Sequence, residues 1–387
     1  MIRPIVTLSV FSTLLSCINA APSCPASKSK AIYFISNEPS NAVVALKINH
    51  DGTLSPGSTT LTGGAGGSGT NGNTTAGPDA LFSQGALTVS GNFLFAVNPG
   101  SSTLSAFAIS PHDPTHLTPI GAPVSTLGDF PISVAAHPHH NTICVATTGA
   151  RAGIACGTYS PKGLTPFDTL REFDLAQTTP PAGPLATVSQ TFFSADGSQL
   201  LTTVKGAPPL NTTGYVSSFP FAQGKVGMKD TRSSPAGTAV LFGVAKIPGT
   251  NDVLIADAAF GAVITTTSAA GVTSVVGDEK LVIQGQMATC WAGWSEASGS
   301  GFVTDVLVNR LVEVTREGRL GRVFESGNGN GGYIDLVAVG SFVYALAPGD
   351  VAHVTVFDVV SGGKIGEVEN FRVEGVGKAA QGMAVSW

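Results

Sequence analysis

The strongest constraint in this chain is that its two ends complete one another. The stretch Gln381-Gly382-Met383-Ala384-Val385-Ser386-Trp387 reads as the missing first strand of a unit whose second strand begins at Ala31, in Ala31-Ile32-Tyr33-Phe34-Ile35. Between them one pattern recurs: a short apolar stretch, a tight turn and a longer apolar strand. Residues 85–89 precede Ser90-Gly91-Asn92, residues 132–136 precede a turn over 137–141, and residues 190–193 precede Ala195-Asp196-Gly197. Residues 242–245 lead into Pro248-Gly249, residues 290–294 into Ser298-Gly299, and residues 334–338 into Gly340. The turns lie about 41 to 58 residues apart, and a period of this order is read as a repeat array before anything else. With the unit split between the termini, the count is seven. Repeats whose first and last elements share a unit close into a ring. The expected fold is therefore all-β: a seven-bladed β-propeller closed by pairing of the C-terminal strand with the N-terminal blade.

Composition fits short strands joined by many turns. Charged residues are only 12% of the 387, whereas Gly (48) and Pro (24) are plentiful and 43% of residues are hydrophobic, too many for disorder. Strand pairs stand out by their β-branched and aromatic content, as in residues 92–98 with 102–109 and 342–346 with 353–357. No stretch of ten or more residues carries a helical period. The Gly-rich segment 63–77 is the one long insertion and is expected to be a mobile loop. The net charge of −5 offers no basic footprint, so no nucleic-acid partner is expected.

Arg3, an apolar run over residues 5–18 and the small pair Ala20-Ala21 read as an export signal cut after Ala20. The run is short for a bilayer and none of spanning length follows, so no membrane span is expected. The expected organisation is a signal peptide (1–20), an N-terminal extension (21–30) and the propeller (31–387), in a secreted protein, extracellular or in the cell wall. After cleavage Cys24, Cys144, Cys156 and Cys290 remain, which allow three pairings. Cys144 and Cys156 lie symmetrically about Ala150 in a hairpin and are expected to bridge; Cys24 with Cys290 follows by elimination. Asn73-Thr74-Thr75 and Asn211-Thr212-Thr213 are glycosylation acceptors in turn-rich segments.

Other motifs carry less. Gly67-Ser68-Gly69-Thr70-Asn71-Gly72 has the G-x-G-x-x-G spacing, but no strand precedes it and no helix follows to receive a pyrophosphate, so no cofactor is expected. His137, His139 and His140 crowd one tight turn and cannot readily converge on one ion, so no metal is expected. No Gly-x-Ser-x-Gly elbow is present. In a propeller, the residues entering each innermost strand and leaving each second strand surround one mouth of the axial channel. Here these are Gln84, Thr148, Gln190, Lys205, Asp257, Gln286, Gln381, Asn37 and Asn98. The recurrence of Gln has two readings, a ligand-binding ring or amides that satisfy backbone groups around a narrow channel.

The repeat pattern, and Asp129-Phe130-Pro131-Ile132-Ser133-Val134-Ala135-Ala136-His137-Pro138 leading into Asn141-Thr142-Ile143-Cys144, resembles the lactonase family of seven-bladed propellers. Within it the likeness is to fungal 3-carboxy-cis,cis-muconate cyclases, relatives of the propeller-type 6-phosphogluconolactonases. The resemblance implies a cluster of His, Arg and Glu at the channel mouth, where cations hold substrate carboxylates and an acid delivers a proton. Carried onto this chain, the His position is Gln84, the first Arg Ile132, the Glu Thr148 and the second Arg Lys205, the only position that keeps a charge. The resulting expectation is a retained scaffold with a degraded site, a monomer binding an unknown small molecule or extracellular macromolecule. The alternative is an active lactonase or cycloisomerase rearranged around Lys205, Arg151 and an acid such as Asp257.

Overall fold

The computed structural model describes residues 30–137, 139–277, 280–361 and 366–386, so the leader, Cys24 and Trp387 lie outside the described residues. Seven antiparallel sheets of four or five strands succeed one another along the chain, joined by one small two-stranded hairpin. They are numbered here as blades 1 to 7 in chain order. Innermost strands of blades 2 to 7 are Leu87–Ser90, Pro131–His137, Val188–Phe193, Leu241–Lys246, Thr289–Ser295 and Ile334–Val339. Blade 1 takes its innermost strand, Gln381–Val385, from the other end of the chain and pairs it with Lys30–Ile35. The ring is closed as expected, with Ile32 opposite Val385 and Tyr33 opposite Ala384. Ser386 fastens the seam: its N–H donates to Ala31 O at 3.0 Å and its hydroxyl accepts the Ala31 N–H at 2.9 Å.

Second strands such as Lys30–Ile35, Thr142–Thr147 and Gln199–Val204 are buried on both faces, because the neighbouring blades cover them from either side. Their continuous apolar or β-branched character follows from that double burial. The outermost strands, such as Glu367–Val373, face solvent and carry the charges. Blades are also tied to one another by single polar contacts. Tyr344 donates its phenol proton across a blade boundary to Gly52 O at 2.8 Å. Gly52 itself has φ +86°, and a Cβ there would lie 2.3 Å from the Phe342 ring, which is why the Asp51-Gly52 turn tolerates no larger residue. Arg171 clamps blade 3 to blade 4: its guanidinium donates to Gly227 O and Val226 O at 2.7 and 2.9 Å while pairing with Asp168 at 2.7 Å.

Six of the seven pairings between innermost and second strands share a feature that the sequence did not disclose. Each carries a register shift near its first residues, between Pro131 and Ser133, Val188 and Gln190, Leu241 and Val244, Thr289 and Trp291, Ile334 and Leu336, and opposite Tyr33 and Ile35 in blade 1. A bulge re-aims a side chain at the rim of a sheet. Here it re-aims Ile132, Ser189, Phe242, Cys290 and Asp335 where the strands enter the axial channel.

Cys144 and Cys156 lie opposite one another in the second and third strands of blade 3 and form a disulfide. Cys290 is buried on the innermost strand of blade 6 and has no disulfide partner among the described residues; Cys24, its expected partner, lies outside them. Cys290 sits among apolar neighbours beside the axis, where a thiol packs as a small hydrophobe. The segment 63–77 also departs from expectation, for it is tied down along its length. Gly66 N donates to Glu38 O, Gly69 N to Ala80 O and Gly100 N to Ala65 O, and Thr70–Asn71 pairs with Thr74–Thr75 as a hairpin. Its glycines serve close approach: a Cβ on Gly66 would lie 2.2 Å from the Asn37 carbonyl, and one on Gly69 2.4 Å from the Phe82 ring.

Replacing Ser386 by Ala removes the hydroxyl and leaves the buried Ala31 N–H without its acceptor, while the backbone contact to Ala31 O stays. The change is expected to lower stability by about 1 kcal/mol, a drop of roughly 1–2 °C in the thermal midpoint measured by circular dichroism.

Candidate functional site

The insertion after blade 1 runs over the mouth at which the chain enters the innermost strands. Its far end crosses the axis as Phe82-Ser83-Gln84-Gly85 before joining blade 2. Each of these residues is held by another blade. Phe82 O accepts from Lys205 Nζ at 2.6 Å, and the Ser83 hydroxyl donates to Ile132 O at 2.9 Å. Trp291 Nε1 donates to Ser83 O at 3.0 Å, and Gly85 N reaches Asp335 Oδ2 at 3.4 Å. Gln84 spans to the opposite side of the ring, where its amide donates to Ala292 O at 2.7 Å and accepts from Ala292 N at 3.0 Å. A Cβ on Gly243 would fall 1.9 Å from Gln84 Oε1, so blade 5 presents a glycine where the amide passes. The axial channel is thereby plugged by polypeptide.

The other residues read from the sequence as mouth candidates are likewise taken up by the protein itself. Thr148 Oγ1 accepts from Val188 N at 2.9 Å, and Gln381 Nε2 donates to Pro78 O at 3.1 Å. Gln286 bridges Ala258 O and Thr289 N, and Gln190 accepts from Val244 N at 2.6 Å. Asn37 holds Gly67 through both ends of its amide, and Asn98 binds Asn41, Thr62 and Ser105. Asp257 accepts the N–H groups of Ala239, Val240 and Ala259, although burial pushes its carboxyl pKa upward. Arg151 is exposed at the edge of blade 3, where its backbone N–H reaches Asp129 Oδ2 at 3.3 Å. No hydrogen bond or ion pair among the described residues joins Lys205, Arg151 and Asp257. His137 packs against Phe193 and Phe221, and its Nδ1 accepts the His139 N–H at 3.2 Å. Asn73 and Asn211 are both exposed.

Lys205 is the centre of this arrangement. Only 2% exposed, its ammonium donates to Phe82 O, Val188 O and Ser189 Oγ at 2.6, 3.2 and 2.8 Å, and stands 4.3 Å from the centre of the Phe242 ring. An ammonium has three protons to give, and all three have acceptors. Burial pulls its pKa down, opposed by the negative charge of Asp79. Asp79, which accepts the Phe82 N–H at 2.9 Å, is pushed upward by burial and pulled back by Lys205. Between the plug and the insertion remains a cavity of about 280 Å³, lined by Asp79, Lys205, Cys290 and otherwise chiefly by apolar side chains. Burial raises the Cys290 thiol well above its ordinary range. The roof is joined to a second loop, Thr70 N donating to Pro181 O at 2.9 Å and Gly183 N to Thr70 O at 2.6 Å. Beyond the plug, the opposite end of the channel is wider, with cavities of about 410 and 940 Å³ that share Lys246.

Sequence reasoning missed Asp79, Trp291 and Asp335. Asp335, at φ +52°, accepts from Leu336 N and Met383 N at 2.8 and 3.0 Å. A carboxylate inside an apolar stretch, Ile334-Asp335-Leu336, was the available signal.

Fold and site together define a seven-bladed propeller whose channel is plugged by chain and whose entry mouth is roofed. Residues 25–151 match the model of the lactonase family, described as "Lactonase, 7-bladed beta-propeller". The likeness to lactonase propellers read from the sequence is shown over that stretch, and the ring of blades carries the same fold through the rest of the described chain. No curated protein matches the chain in sequence. Among solved structures, the periplasmic gluconolactonase of Pseudomonas aeruginosa is 15% identical, with a TM-score of 0.67 over 93% of this chain and 99% of its own. A 6-phosphogluconolactonase candidate from Bacteroides fragilis is 13% identical, with a TM-score of 0.64 over 95% and 100%. A protein from Lactobacillus plantarum is 12% identical, with a TM-score of 0.63 over 93% and 100%.

Gln84→Leu leaves Ala292 without partners in the blocked channel. It is expected to cost roughly 1–3 kcal/mol in a urea titration. Burial also sets a pH dependence. Asp335 is raised to about 7 against roughly 4 in the unfolded chain, so folding takes up a proton between those values. Its contribution to stability is complete below the unfolded pKa and lost as pH rises through 7. Asp335→Asn, which cannot ionise, should therefore gain on the parent protein between about pH 4 and 7, by up to about 1.4 kcal/mol per pH unit, and keep that gain at higher pH. Paired urea titrations across that range check it.

Proposed function

We propose that this protein is a secreted, glycosylated propeller of the carboxymuconate-cyclase-like kind that has lost the family's chemistry and works as an extracellular or cell-wall-associated binding protein. The observation that carries the reading is the saturation of Lys205, the one cation kept at the mapped mouth positions. A lactone or carboxylate substrate needs a cation with a proton to spare. Drawing Lys205 away would leave Phe82 O, Val188 O and Ser189 unpaired in the interior, at roughly 1–3 kcal/mol for each group. Gln84 and Thr148 cannot supply a proton near neutral pH, and Ile132 cannot hold a carboxylate. A buried Asp257, spent on three N–H donors, adds no free acid beside Lys205.

The Cys144–Cys156 disulfide supports an oxidising compartment, as do the leader-like N-terminus and the exposed sequon residues Asn73 and Asn211.

Purified protein incubated with 3-carboxymuconate, gluconolactone and 6-phosphogluconolactone is expected to give no turnover above the uncatalysed rate. Turnover that Lys205→Ala abolishes would establish the rearranged enzyme instead. Loss of mass on deglycosylation of the secreted protein checks the sequons.

A further inference from the structure

The cavity under the roof has lost nearly all the polarity expected of a lactonase mouth. Its walls are the side chains of Phe82, Leu185, Val240, Phe242, Val306 and Leu307. The two charged groups that reach it are occupied elsewhere, Lys205 with three oxygens and Asp79 with the Phe82 N–H, and each offsets the charge of the other. Two uncharged polar side chains also line it: Asn71, exposed at the rim, and Cys290, whose thiol is a weak donor and acceptor. An anionic guest would meet an ammonium with no proton left. A cationic guest would meet the Lys205 ammonium already placed in the field of Asp79. Either would shed its water without compensation.

The entrance repeats the same chemistry. Leu307, which lines the cavity, is 57% exposed, and Met287, next to the lining residue Ala288, is 65% exposed. Large apolar side chains left in water around a concave site are a mark of binding. A volume of about 280 Å³ lies at the small end of the range for ligand pockets, the size of a bicyclic ring system or a short branched chain.

We propose that this cavity holds a small, uncharged, predominantly apolar molecule, an aromatic or branched-hydrocarbon compound, seated between Phe82 and Phe242 beneath the roof formed by residues 69–82. The inference rests on the binding-protein reading and gives that reading its ligand class. It sets this mouth apart from the opposite one, where Lys246 and Gln190 line a wider, more polar channel suited to a charged or sugar-like guest.

The test uses the full mature chain and N-phenyl-1-naphthylamine, a neutral fluorescent probe of the right size. Saturable binding of one probe per protein is expected. Leu307→Glu puts a charge at the exposed entrance and Ala288→Phe fills space inside; each should weaken binding by about tenfold or more. Lys246→Ala, in the opposite channel, should leave affinity unchanged. Cys290 supplies a second readout: its reaction with methyl methanethiosulfonate should slow by roughly fivefold when the probe is held at about five times its dissociation constant. Absence of saturable binding overturns the proposal. So does binding that both mouth variants leave intact, or that Lys246→Ala removes. Lactone turnover would sink the binding-protein reading with probe binding still in place, whereas a silent probe without turnover would sink only this inference.

Discussion

Everything at the centre of this molecule depends on how the peptide from Phe82 to Gly85 is satisfied where it crosses the axis. A propeller channel is lined by strand edges and filled with water, which pairs whatever polar groups the inner strands leave over. A chain laid across it displaces that water and must replace each lost hydrogen bond, because an unpaired buried amide costs more than a made one returns. The replacements come from distant parts of the sequence: Trp291 and Ala292 from blade 6, Ile132 from blade 3, Lys205 from blade 4 and Asp335 from blade 7. The crossing peptide therefore measures the ring. It fits only when all the blades stand at their proper distances, and closure of the seam at Ser386 and insertion of Gln84 support one another.

The same economy governs the polar groups of the mouth. Groups that could bind a substrate carboxylate are the groups best able to hold a carbonyl in place, and one ammonium cannot do both. Lys205 sits where the family resemblance puts a substrate-binding cation, yet its three protons point at protein oxygens. Asp79 supplies the balancing charge from within the insertion itself. The insertion thus takes up the polar groups of the mouth, and the mainly apolar space left beside it follows from that.

The ring was legible in the sequence because its signals are local and repeated. An apolar strand covered on both faces, such as Ala31 to Ile35, needs no partner in view to be recognised, and a turn such as Ser90-Gly91-Asn92 announces itself. Pairing of Cys144 with Cys156 was legible for the same reason, since a hairpin brings its own arms together. The plug was not. One extra residue in an inner strand leaves no trace in a pattern of four to seven residues, so the re-aiming of Asp335 and Cys290 was invisible. Gln84 and Lys205 were picked out as mouth residues, but their partners lie 208 and 123 positions away, at Ala292 and Phe82. Sequence spacing carries no information at that range.

The glycine-rich insertion shows how composition misleads when it is read alone. Glycine frees a chain in solution, but it also lets two backbones approach within a distance that any side chain would forbid. Between Gly63 and Gly77 the second property prevails. Gly66 rests on the Asn37 carbonyl and Gly69 on the Phe82 ring, while the Asn37 amide grips Gly67 at both its N–H and its carbonyl. A roof built this way is thin, which is what a mouth of this diameter requires if any cavity is to survive beneath it. Larger residues would have filled that space from above. The glycines that suggested a mobile loop are thus the condition for an enclosed apolar pocket, and the length of the insertion is what carries Phe82, Ser83 and Gln84 out to the axis.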